Sequence, residues 1–239
     1  MGGKGSHRTV LAYTLLALLL GNVLAVLCFV PVAAALYLSG ADMGQLLRVA
    51  LSPLGITVSA LASDAALLGV VYFRIVRPGA TSWAKMGLER KQLLQRLLLG
   101  ILFGFVLFGL STGLELLLDS FGIHQTQADL FASIRHASLG EFGLVLLAGA
   151  VVAPIVEEIY FRGFVFRSYL EQKGPAQAYL FSAAIFAAIH MNAAALLPIF
   201  AMGLLLSLLY SRTGSIVPGM AAHAVNNAAA FLLIYLGSA

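Results

Sequence analysis

The sequence predicts an all-α, polytopic membrane protein of about seven transmembrane helices, with the N-terminus inside, the C-terminus outside and a polar site within the membrane. Three observations predict it. Of 239 residues, 61% are hydrophobic and 10% charged, against about 25% charged in soluble domains. The mean hydropathy is +0.97. Seven apolar runs divide the chain, and roughly 20 apolar residues suffice to cross a hydrocarbon core about 30 Å thick. No soluble-looking half interrupts them. The chain therefore reads as one integral membrane domain, 1–239, in which 1–139 hold the first spans and a cytoplasmic connection and 140–236 hold the polar motifs.

The first run, Thr9–Tyr37, follows the basic residues Lys4 and Arg8. The stretch PVAAA could pass for a cleavage site, but the run exceeds the apolar core of about 7–15 residues in a signal peptide. It predicts a true span, with Pro31 placed to kink its outer end. The second run, Leu54–Phe73, contains Asp64. The basic segment after it, residues 79–96, carries Trp83 and scattered apolar residues, which fits an interfacial connection on the cytoplasmic surface and equally a plain basic loop. The third run, Leu97–Leu118, is interrupted by Glu115, and the fourth, Phe142–Val156, leads straight into Glu157 and Glu158. Gly174 and Pro175 break the chain before the fifth, Ala176–Met191. The sixth, Leu196–Tyr210, and the seventh, Ile216–Leu236, complete the set. Leu180–Tyr210 is short for two full spans and predicts a tight turn near Ala193–Pro198.

Basic residues fall in alternate connections, as the positive-inside rule requires. Lys4 and Arg8 precede the first span. Arg74, Arg77, Lys85, Arg90, Lys91 and Arg96 lie between the second and third, Arg162, Arg167 and Lys173 between the fourth and fifth, and Arg212 between the sixth and seventh. The opposite side keeps Arg48 and Arg135 with Asp42, Asp119, Asp129 and Glu141. The net charge of +4 is thus spent on topology, and nothing gathers a basic face for nucleic acid. The single cysteine, Cys28, excludes an internal disulfide and any cysteine-based metal site.

An ionisable residue inside a span is expensive and marks a functional candidate. Those here are Asp64, Glu157, Glu158, His190 and His223, with Asn192, Asn226 and Asn227 nearby. Glu157 precedes Gly174 by almost the same number of residues as His190 follows it, so antiparallel helices bring them to one depth. His223 enters from the break at Gly214, and Asn227 shares its helix face four residues on. Glu157, His190, His223 and Asn227 can therefore converge, nearer the cytoplasmic face. Phe186 can pack beside the imidazole of His190 at the same spacing. Glu158 and Arg162, also four apart, are read as a charge-neutralising pair; Glu157 is rotated about 100° away and faces the site. Taken singly, a helix histidine is most often a core residue and adjacent acids an interfacial anchor; the combination at matched depth is what points to chemistry. Asp64 has no visible partner and is expected to make a structural hydrogen bond. Asn192 and Asn226 are expected to cap or pack helices, and the small-residue run MAAHAVNNAAA to allow close helix packing.

Three of these stretches match motifs of a known family. EEIYFR (157–162) fits EExxxR, FAAIH (186–190) fits FxxxH and HAVNN (223–227) fits HxxxN, in that order. The chain resembles, over roughly residues 140–235, the CPBP (Abi) family: the CAAX-protease and bacteriocin-processing intramembrane endopeptidases, which include the Ras-converting prenyl-protein protease. The resemblance implies that Glu157 and His190 activate the attacking water, that His223 and Asn227 are metal ligands or oxyanion stabilisers, and that Glu158 and Arg162 support the site. Glu157, His190 and His223 could ligate a catalytic Zn²⁺ with an open position; a metal-free scheme with a general base and oxyanion donors fits the same residues.

The sequence holds no HExxH, GxGD or GxSG motif of other intramembrane proteases. The expected partners are a peptide or membrane-protein substrate and the lipid bilayer, and the expected location is a bacterial inner membrane. The compact chain is more similar to bacterial members, so a prenylated substrate is not implied. A non-catalytic immunity or scaffold protein that keeps the fold is the competing reading. A transporter relaying protons or metal through Glu157 and the histidines is a third, weakened because no inverted repeat is visible.

Overall fold

A computed structural model describes residues 6–89, 92–123 and 131–237. Lys4, Arg90, Lys91 and Asp129, used above to read sidedness, lie outside the described residues. The helices are α1 (His7–Leu38), α2 (Met43–Ala50), α3 (Pro53–Val76), α4 (Leu93–Ser120), α5 (Leu139–Lys173), α6 (Pro175–Ile189), α7 (Leu196–Thr213) and α8 (Val217–Leu236). A 3₁₀ turn, Ala132–His136, precedes α5. Six of them, α1, α3, α4, α5, α7 and α8, are long and apolar enough to cross a membrane. The seventh apolar helix, α6, has 15 residues, about 22 Å at 1.5 Å per residue. The protein is an all-helical, multi-pass integral membrane protein, and the seven apolar runs each correspond to one helix.

Side-chain pairs fix how the helices run. At one end His7 hydrogen-bonds Tyr169, and Thr14 meets Tyr160 at 2.9 Å, so α1 is antiparallel to α5. At the other end Phe142 stacks on Tyr235 with centroids 4.1 Å apart, so α8 is antiparallel to α5 as well. The start of α1 and the finish of α8 thus lie at opposite ends of one long helix. That is the arrangement an odd number of crossings requires.

α4 and α8 run side by side and parallel. A Cβ on Gly100 would come within 2.5 Å of the Pro218 carbonyl oxygen, and one on Gly104 within 2.8 Å of that of Ala222. Only glycine lets the two backbones approach so closely.

Three features depart from the sequence reading. α2 was not expected; Asp42 caps it by accepting from Gln45 N at 2.8 Å, and the Gln45 side chain returns the bond. The fourth span does not end at Val156. It continues through Glu157 and Arg162 to Lys173 with wide π-helical turns over Leu147–Val152 and Ile159–Phe166, because Tyr160, Phe161, Phe164 and Phe166 are all buried and keep the chain in the core. Arg162 is consequently no loop cation: it is fully buried and drops out of the sidedness count.

The basic segment after α3 also does more than lie on a surface. Met86 is fully buried against Gly163. The carbonyl of Gly87, at a left-handed φ of 92°, accepts from Ile216 N at 3.2 Å and Ser215 Oγ at 3.0 Å. The connection thereby holds the turn that launches α8.

Candidate active site

Glu157 and Glu158 stand midway along α5, where the chain passes between α3 and α8. Consecutive positions on a helix point about 100° apart, and the two acids divide accordingly. Glu158 turns inward. Its Oε1 accepts from Arg162 Nη1 at 2.7 Å, and both side chains are fully buried. Arg162 Nη2 donates to the Gly203 carbonyl at 3.1 Å, and its guanidinium lies 4.7 Å from the centroid of the Phe186 ring. Gly219 makes room for the carboxylate: a Cβ there would meet Glu158 Oε2 at 2.7 Å. Glu157 turns the other way and lines a cavity of about 480 Å³. Its Oε2 has no hydrogen-bond partner among the described residues.

His223, one-third of the way along α8 and nearly inaccessible, sits between the two acids. Nδ1 is 3.4 Å from Glu158 Oε1 and Nε2 is 3.8 Å from Glu157 Oε2. Neither contact is aligned as a hydrogen bond, since Nδ1 and Glu157 Oε2 are both left without a hydrogen-bond partner among the described residues. Phe186 packs edge-on to His223 at 5.8 Å and to His190 at 5.0 Å, the ring contact expected for His190.

His190 ends α6. The next residue, Met191, takes a left-handed φ of 49°, which closes the helix and turns the chain. His190 Nδ1 lies 2.7 Å from the Phe186 carbonyl. A carbonyl only accepts, so Nδ1 carries the proton and Nε2 presents its lone pair. His190 lines the same cavity as Glu157, His223 and Asn227. Asn227 Nδ2 donates to the Gly149 carbonyl at 2.9 Å, while its Oδ1 accepts from Asn226 Nδ2 at 3.1 Å.

The structure therefore brings together the predicted Glu157, His190, His223 and Asn227 on one wall, with Glu158 and Arg162 behind it. Asn192 orders the turn that precedes α7, accepting from Ala194 N and Ala195 N at 3.2 Å each, while α7 itself has no side-chain cap, and Asn226 orients Asn227. Asp64 differs from expectation. It is 4% exposed, and its Oδ2 has no hydrogen-bond partner among the described residues. Glu157 is close enough to act on it electrostatically.

Two ligand atoms on one tetrahedral zinc stand roughly 3.4 Å apart. Within Glu157, His190 and His223, the Glu157–His223 pair approaches that spacing at 3.8 Å, and among the described residues no three His, Cys, Asp or Glu side chains group to hold a metal. As placed, Glu157, His190 and His223 do not assemble the zinc site that the resemblance implies.

The direction of the cavity was not foreseen in the sequence. From Glu157 it runs away from Gly174 and Gly214 toward Phe131, Arg135 and Ile234. The other end is plugged by the buried aromatic rings that follow Glu158 on α5. Sequence reasoning missed this far wall. Glu115, Ser111, Thr112 and Arg135 line it; Glu115 registered only as an interruption in an apolar run and Arg135 only as a charge in a connection.

Known proteins match the region that builds this wall. The family model described as "Type II CAAX prenyl endopeptidase Rce1-like" matches residues 140–229. The chain is similar to the Bacillus subtilis (strain 168) protein named "Putative membrane peptidase YdiL", with 36% identity over 84 residues, 35% of this chain and 34% of that one. The match thus spans about a third of the relative's length. No solved structure matches the chain. Glu157, Glu158, Arg162, His190, His223 and Asn227 all fall inside the stretch that is similar to the Rce1-like family.

Proposed function

We propose that the chain is an intramembrane endopeptidase of a bacterial inner membrane, in which Glu157 is the general base. The observation that carries this is the division of the paired acids: Glu158 is neutralised by Arg162 in the core, while Glu157 stands unpartnered on a cavity wall beside His223. Water in the cavity gives one proton to Glu157 as its oxygen attacks the peptide carbonyl carbon. The lone pair on His190 Nε2 holds the second hydrogen and orients the water. The carbonyl oxygen becomes an oxyanion. It is received by donors on α8, the Nε2–H of His223 and the amide proton of Asn227 not committed to Gly149. Collapse breaks the C–N bond, and Glu157 returns its proton to the departing nitrogen.

Glu158 and Arg162 touch no substrate in this scheme. They place His223 by fixing the carboxylate behind it. The substrate enters from the Phe131–Arg135 end, and with the sidedness read from the basic residues that end faces away from the cytoplasm.

The test is cleavage of a peptide library by purified protein in detergent. Glu157→Gln keeps shape and removes the base, and should lower the rate about 10²–10⁴-fold with no loss of thermal stability. Undiminished cleavage by Glu157→Gln would refute the assignment. A wild-type protein that cleaves nothing would favour the non-catalytic immunity or scaffold role.

A further inference from the structure

One charged group in the cavity has no part in this chemistry. Glu115 interrupts α4, whose most apolar stretch has a mean hydropathy of 2.3, and it lines the far wall of the cavity that holds Glu157 and His223. It is half-buried. No hydrogen bond or ion pair is recorded for it among the described residues. Its neighbours on the wall, Ser111 and Thr112, are uncharged. Arg135 lines the same cavity but is exposed at the end of the bundle, and no ion pair joins the two. An ionised carboxylate held this way costs free energy that an incoming cation would offset.

The distance to the reacting wall follows from the parallel packing of α4 and α8. Gly104 is level with Ala222 and Val225, hence with His223. From residue 104 to 115 at 1.5 Å each, Glu115 lies about 17 Å further along. An extended peptide advances about 3.3 Å per residue, so roughly five residues span the gap.

We propose that Glu115 is a specificity-determining residue, binding the cationic side chain of a Lys or Arg about five positions from the scissile bond. This rests on the endopeptidase reading above and names the substrate class for the same cavity: a peptide segment with one basic residue at a set distance from the cut. Ser111 and Thr112 would complete the cation's hydrogen bonds.

The experiment uses full-length protein in detergent and a peptide library in which Lys, Gln or Glu is scanned through each position on both sides of the cut. Wild type should prefer Lys over Gln at one position, about five residues away, by roughly twofold to fivefold, the upper range for a partly exposed ion pair. Glu115→Gln should abolish that preference. Glu115→Lys should transfer it to Glu at the same position; if that variant fails to fold, the Gln variant decides alone. A wild type with no positional preference for Lys overturns the proposal, as does a preference that survives Glu115→Gln. A wild type that cleaves no library member removes the peptidase reading, and this one with it.

Discussion

Glu158→Gln isolates the supporting half of the site. In the protein the Glu158–Arg162 contact is 2.7 Å long with both partners fully buried. The substitution keeps an oxygen within reach of Arg162 Nη1, so the hydrogen bond survives in neutral form while the counter-charge disappears. Breaking a buried pair by removing one partner costs about 3–5 kcal/mol. Arg162 cannot escape to water, because it is sealed from solvent, but its bond to the Gly203 carbonyl and its stacking on Phe186 remain. The lower end, about 3 kcal/mol, is therefore expected. At about 2–4 °C per kcal/mol for a chain of this size, the melting temperature should fall by about 6–12 °C. Arg162→Gln in the same chain removes the orphaned cation and should recover part of the loss. A double-mutant cycle of thermal melts in detergent measures the coupling. Glu158→Gln as stable as wild type, or a double variant no more stable than Glu158→Gln, would refute the claim that the pair is a closed charge unit.

Other outcomes follow from the same geometry. Gly219→Ala puts a Cβ 2.7 Å from Glu158 Oε2, so the carboxylate must move; melting should drop by the equivalent of about 1–3 kcal/mol, and peptidase turnover should fall with it. Because no three metal ligands group among the described residues, protein stripped with strong chelators should keep its turnover; loss on stripping that zinc restores would count against the general-base scheme. Reporter fusions at Ser6 and Gly237 should give opposite signals, as the opposite ends of α1 and α8 require; matching signals would mean an even number of crossings.

Much of the site was legible because its residues are costly where they stand. Two acids, two histidines and an amide in apolar helices are visible to simple spacing arguments, and the Glu158–Arg162 and Phe186–His190 contacts follow from a four-residue period. The continuation of α5 past Val156 was not legible. A positive charge at Arg162 reads as the edge of a membrane, and nothing local shows that Glu158 will neutralise it. Nor was the cavity's direction, which depends on which end Tyr160, Phe161, Phe164 and Phe166 fill. Gly203 and Gly219 carry no chemical signal at all; Gly203 leaves room for Ala183 and Phe186 and offers its carbonyl to Arg162, and Gly219 leaves room for Glu158.

The close contact of α4 and α8 has a consequence for modularity. The stretch that matches known proteins begins at residue 140, yet the helix bearing His223 and Asn227 rests along its first turns on Gly100 and Gly104. The matched stretch is thus not a self-sufficient cassette. A graft of residues 140–237 onto other helices would need an acceptor that offers two glycines four positions apart, running in the same direction as α8.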